Sequence, residues 1–210
     1  RARGMVVILD AKRGDIGATA EHYAAAVFGP ASAAGSERPT FAADAVTLSG
    51  YMGMDTIEPF LAHDACGGAF VLVRTSNPGS DAVQALKLAD GRTVAEMLAD
   101  HVAELGRRPG NLGACGLSRV GAVVGATKSS EAAGLRARMP DQYLLIPGYG
   151  AQGGALDDIK PMLRSHTSAA DAGIVVNASR SVLYAFVGDQ KNWVGAISDA
   201  ARRLADGLRS

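Results

Sequence analysis

Residues 5–19 read Met5-Val6-Val7-Ile8-Leu9-Asp10-Ala11-Lys12-Arg13-Gly14-Asp15-Ile16-Gly17-Ala18-Thr19, and this stretch decides how the rest of the chain is read. It opens as a short β-branched apolar run, the pattern of a strand buried on both faces, and passes through Gly14 into a helical pattern. Side chains alternate along a strand, so Asp10 and Lys12 project to one side near its C-terminal end. Asp15 follows in the β-α loop, at a position suited to capping the next helix, to curling back, or to reaching a neighbouring subunit. Taken alone, three such charges also describe a surface ion pair beside a helix cap.

Working outward, short β-branched runs alternate with longer Ala-rich amphipathic segments, the signature of β-α units around a parallel sheet. Six strands are expected, at 6–10, 45–49, 69–74, 120–125, 143–147 and 173–177. Helical stretches follow them at 16–27, 56–65, 94–105, 129–138, 156–165 and 194–208, and 30–39 reads as a loop insertion. Six units in 210 residues come to about 35 residues each. A closed (β/α)8 TIM barrel has eight strands in about 250 residues and keeps its catalytic groups at the C-terminal strand ends. The expectation is therefore an α/β chain, one barrel domain over 1–210, with about six of eight units present and the N-terminal two strands outside this sequence.

Lys plus Arg equals Asp plus Glu at 21 each, so no global field favours nucleic acid polymers or an anionic membrane. A small anionic ligand needs only a few local donors. No apolar run approaches the roughly 18 residues of a membrane span, and the start shows no signal-peptide pattern, so a cytoplasmic location is expected. Cys66 and Cys115 are isolated and fit packed thiols in a reducing compartment. His22, His63, His101 and His166 have no ligand spacing, and no metal site is expected. Trp193 reads as core or interface packing, Asn177-Ala178-Ser179 as a sequon without a secretion context, and Asp44 as either structural or supportive of the site.

The string Asp10-Ala11-Lys12-Arg13-Gly14-Asp15-Ile16-Gly17-Ala18-Thr19 resembles the Asp-x-Lys-x-x-Asp signature of the orotidine monophosphate decarboxylase suprafamily, in the form of its bacterial decarboxylases. Three further matches fall in the expected order: Ser76-Asn77-Pro78-Gly79, Pro147-Gly148-Tyr149-Gly150-Ala151-Gln152-Gly153-Gly154 and Asn177-Ala178-Ser179-Arg180-Ser181. The resemblance implies decarboxylation of orotidine 5'-monophosphate to uridine 5'-monophosphate in pyrimidine biosynthesis, without cofactor. It implies that Asp10, Lys12 and Asp15 form a charged network with Lys12 as proton donor, and that Asp15 and Thr19 reach the partner's site in a homodimer. It further implies that Ser76 hydrogen-bonds the pyrimidine, Pro147 walls the base, and Gln152, Ser179 and Arg180 meet the 5'-phosphate. A full family member would also carry two more N-terminal strands, with an Asp for the ribose and a second Lys in the network.

Independently of the resemblance, loops after the last two barrel strands commonly bind phosphate, and an arginine fork pairs with two of its oxygens. Gly148 to Gly153 formally matches G-x-G-x-x-G, but the next strand ends in Asn177 rather than an acidic residue, so a dinucleotide site is rejected in favour of a glycine-hinged lid. Two alternatives stay open: a magnesium-dependent sugar-phosphate decarboxylase or aldolase of the same suprafamily, and a non-catalytic nucleotide-binding fragment.

Overall fold

The computed structural model describes residues 4–29, 31–33, 36–38, 40–64, 66–126, 129–148, 156–164, 172–186 and 191–208. In chain order the elements are β1 (Ile8–Arg13), α1 (Gly17–Phe28), β2 (Ala31–Ala33), β3 (Ser36–Arg38), β4 (Ala45–Ser49), α2 (Glu58–His63), β5 (Gly68–Arg74), α3 (Asp81–Gln84), α4 (Val94–Gly106) and β6 (Ser118–Val124). Then come α5 (Ser129–Arg138), β7 (Gln142–Ile146), α6 (Leu156–Ile159), β8 (Ile174–Val176), α7 (Arg180–Leu183) and α8 (Trp193–Gly207). The six expected strands are β1 and β4 to β8, and they form one parallel sheet in the order β1-β4-β5-β6-β7-β8.

Each new strand adds to the same edge of the sheet, which is how a barrel grows; a doubly wound sheet reverses its order midway. The period-2 pattern explains the two layers. Val46 and Leu48, Val71 and Val73, Val120 and Ala122, and Leu144 and Ile146 point outward into the core under the helices. Ala45, Phe70, Val123 and Leu145 point inward and make a second, smaller apolar cluster with Ile8, Leu72, Tyr143 and Val175. The result is a curled half-barrel with its helices outside.

Local signals set several boundaries. Helix α4 starts where it does because Thr93 and Glu96 form a capping box: Thr93 Oγ1 accepts from the Glu96 N–H at 3.1 Å, and Glu96 Oε2 accepts from the Thr93 N–H at 2.7 Å. Asn192 caps α8 by accepting from the Gly195 N–H at 3.2 Å. The expected loop insertion at 30–39 instead holds a short antiparallel pair, β2 with β3, which three-residue strands are too short to announce by periodicity.

At the N-terminal strand ends, polar side chains close the sheet onto its own backbone. Arg136 is buried and donates to four carbonyls, those of Met139, Gln142, Met162 and Gly173, each at 2.8 Å. Arg119 similarly reaches the carbonyls of Leu61, Asp64 and Gly67. Asp44 belongs to this end, where its carboxylate accepts from the Val7 N–H at 2.7 Å, so its place is structural.

Two expectations are corrected here. Cys66 and Cys115 are exposed, because both lie in turns that lead into strands at this end. Trp193 is 52% exposed at the start of α8, with its ring 6.5 Å from that of Phe186, so of core and interface packing the core reading is overturned. Among the described residues no helix is long and apolar enough to cross a membrane.

Candidate active site

At the opposite, C-terminal end, β1 departs from regular pairing. Leu9 pairs with Val46 but Arg13 with Leu48, so Asp10, Ala11 and Lys12 bulge across the single residue Thr47. Lys12 takes a left-handed backbone, φ +48°, a conformation that a residue with a Cβ adopts at a cost. Its N–H, freed from the ladder, donates to Thr47 Oγ1 at 2.9 Å. Asp10 and Lys12 do share a face, but the bulge as well as the alternation brings them together. Lys12 Nζ lies 2.6 Å from Asp10 Oδ1, and the same oxygen accepts from Thr47 Oγ1 at 2.8 Å. Partial burial raises the Asp10 carboxyl, but the hydrogen bonds from Lys12 and Thr47 and the Lys12 charge outweigh it, holding Asp10 below the usual carboxylate range.

This pair stands in the wall of a pocket of about 550 Å³. Ser76, Pro147, Ser179 and Arg180 line the same pocket, so six of the nine residues singled out in the sequence meet there. Leu72, Val123 and Leu145 supply its apolar surface. Asp15 and Thr19 do not line it; Asp15 is half-buried and Thr19 exposed. Asp15 does not cap α1 either. The helix begins one residue later, with Ile16 at its N-cap and no side-chain cap, and among the described residues Asp15 Oδ1 accepts from the adjacent Ile16 N–H at 2.9 Å. Gln152, and the glycine-hinged lid expected from the sequence beyond Gly148, lie outside the described residues.

Sequence reasoning missed the groups that hold this pocket in shape. Arg74 ends β5, is 2% exposed, and pairs through two nitrogens with Glu131 at 2.8 Å, while also donating to Asp81 at 2.6 Å and Ser80 at 3.0 Å. Hydrogen bonding to Glu131 holds its guanidinium above the ordinary value, outweighing burial, with Asp81 adding to the effect. The loop that carries Ser76 is thereby tied to α5. Gln84 tightens it further by accepting from the Thr75 N–H at 2.8 Å. A side chain at Gly125 would stand 2.9 Å from the Ser76 nitrogen, so the glycine is what lets this loop lie across the end of β6. The available signal was a lone arginine closing an apolar strand, and a lone threonine within another.

Among the described residues no group of three or more His, Cys, Asp or Glu side chains is placed to hold a metal ion. The chemistry on offer is an ammonium–carboxylate pair beside an apolar wall, with hydroxyls and a guanidinium across a space the size of a small molecule.

Fold and site together define a β/α-barrel protein with a charged strand-end site. The family model for the orotidine 5'-phosphate decarboxylase / HUMPS family matches residues 1–190. The orotidine 5'-phosphate decarboxylase of Roseiflexus castenholzii is 44% identical over 210 residues, covering 100% of this chain and 68% of its own length. That of Rhodopirellula baltica is 41% identical over 217 residues, covering 98% and 68%. The structure of Leishmania donovani OMP decarboxylase superposes with a TM-score of 0.70 at 33% identity, over 96% of this chain and 66% of that one. The chain belongs to the orotidine 5'-phosphate decarboxylase / HUMPS family. It spans about two thirds of the length of the relatives it matches.

Proposed function

We propose that the protein decarboxylates orotidine 5'-monophosphate to uridine 5'-monophosphate, as a carboxy-lyase of pyrimidine biosynthesis. The observation that carries this reading is the 2.6 Å Lys12–Asp10 pair in the wall of a pocket that Ser76 and Arg180 also line. The identity of 41% and 44% to two orotidine 5'-phosphate decarboxylases supports it.

Loss of carbon dioxide from C6 of the pyrimidine leaves a carbanion with no neighbouring carbonyl to delocalise it, so localised negative charge must be stabilised where it forms. Lys12 supplies a fixed ammonium there and then delivers a proton to C6. Asp10 faces the departing carboxylate, and two such charges about 4 Å apart at an effective dielectric of 20 repel by about 4 kcal/mol. That repulsion vanishes as the product leaves. Enzymes commonly remove about 8 to 23 kcal/mol of barrier, so the larger share falls to Lys12 and to phosphate binding that holds the site in shape.

In this reading Ser76 hydrogen-bonds the ring, Pro147 packs beside it, and Gln152, Ser179 and Arg180 take the phosphate. Asp15 and Thr19, outside the pocket of their own chain, serve the partner's pocket in a cytoplasmic homodimer. No metal or organic cofactor has a role. The test is the fall in orotidylate absorbance on adding the protein, with one of its longer relatives as reference. Turnover that survives a chelator is the expected result; turnover lost to the chelator, or no turnover beside an active relative, overturns the reading.

A further inference from the structure

Thr47 is a hydroxyl residue flanked by apolar neighbours, Val46 and Leu48, in β4, and its side chain is fully buried. It sits opposite the bulge that carries both members of the charged pair. Its oxygen accepts the Lys12 N–H at 2.9 Å, which leaves its single proton for Asp10 Oδ1 at 2.8 Å. The direction of both hydrogen bonds is therefore fixed. Lys12 Nζ takes that same Oδ1, so one carboxylate oxygen is occupied twice, while Oδ2 receives no hydrogen bond among the described residues.

We propose that Thr47 is a positioning residue for decarboxylation: it holds the left-handed turn at Lys12 and fixes the rotation of the Asp10 carboxylate, so that Oδ2 stays free for the pocket. The kinetic side of this proposal rests on the function proposed above; the structural side does not. A valine in its place would fill the same volume, yet the Lys12 N–H would lose its acceptor and Asp10 one of its two donors. Both losses fall on the pair that does the chemistry. Besides Asp10, the charged side chains lining the pocket among the described residues are Lys12 and Arg180, and no residue of β4 is titratable, so a change in Asp10 ionisation on altering Thr47 has few other sources.

The test compares Thr47→Val, which keeps shape and removes the hydroxyl, with Thr47→Ser, which keeps the hydroxyl. Two readouts are used: the NMR titration of the Asp10 carboxyl carbon, and kcat and KM for orotidylate across pH. Thr47→Val is expected to move the Asp10 titration and the acid limb of kcat to higher pH. It should also lower kcat about 10- to 100-fold while KM changes less than about threefold, the size expected for hydrogen bonds to charged groups. Thr47→Ser is expected to restore the titration, and kcat to within about threefold of the unaltered protein. Thr47→Ala gives the same readouts should valine prevent folding.

An unmoved Asp10 titration in the valine or alanine variant, or a serine variant as impaired as the valine one, overturns the proposal. If the unaltered protein turns over no orotidylate, the functional reading fails, and the carboxyl titration still decides the role of Thr47.

Discussion

The two ends of the half-barrel use charge in opposite ways. At the N-terminal strand ends, Arg136 gives its donors to four backbone carbonyls, and burial, with the nearby Arg164 charge, pushes its guanidinium down to about 10 despite Asp141. It remains protonated at neutral pH and faces nothing but the fold. At the C-terminal ends, Lys12 and Asp10 keep 51% and 55% of their side-chain surface exposed and satisfy each other only in part. Behind them Arg74, buried like Arg136, spends its donors on carboxylates and on the loop that bears Ser76. The difference teaches where to look for function: polar groups whose hydrogen bonds close on the backbone hold the molecule together, and those left open toward a cavity are available to a ligand.

This contrast can be broken most sharply at Lys12. Lys12→Ala is expected to lower kcat by at least about 10⁴-fold, the combined size of a lost proton donor and a lost stabilising charge, with nucleotide affinity far less affected and the melting temperature not lowered. Retained turnover would move the chemistry elsewhere. Arg136→Met is the counterpart at the other end, where four carbonyls lose a common donor. Chemical denaturation should report roughly 3 kcal/mol less stability, while kcat of the protein that remains folded stays put.

Arg180→Ala should raise KM about 10- to 100-fold with a smaller change in kcat, and a pure turnover defect would argue against its phosphate role. The smallest effect concerns Gln142, whose buried amide nitrogen and oxygen have no partner among the described residues. Gln142→Met should raise stability by about 1 kcal/mol, read as an upward shift in the melting temperature. A fall would show that the amide is satisfied after all.

Much of the architecture was legible because a parallel sheet covered on both faces writes itself as apolar runs. The strand at 45–49 and the helix at 129–138 match the observed limits, the helix expected at 156–165 is α-helical only to Ile159, and the others shift by one to three residues. The strand bearing Asp10 shifts furthest at its C-terminal end, to Arg13, because a bulge has no periodic signature and the expected strand stopped at the first charge. Side chains that point into the pocket were found through short motifs. Those that hold them, Thr47 and Arg74, were not, since the partners of Thr47 are 35 and 37 residues away and Glu131, which takes two nitrogens of Arg74, is 57 away, so nothing local marks these pairings. Of the three places open to Asp15, capping, curling back or reaching a neighbouring subunit, capping is excluded because the helix begins a residue too late for it.

The left-handed turn at Lys12 has a consequence for anyone who tries to stabilise this protein. Glycine is at ease in that geometry and asparagine tolerates it better than most, so a screen rewarding heat resistance alone should enrich both at position 12. The hardier the survivors of such a screen, the more of them will have discarded the ammonium.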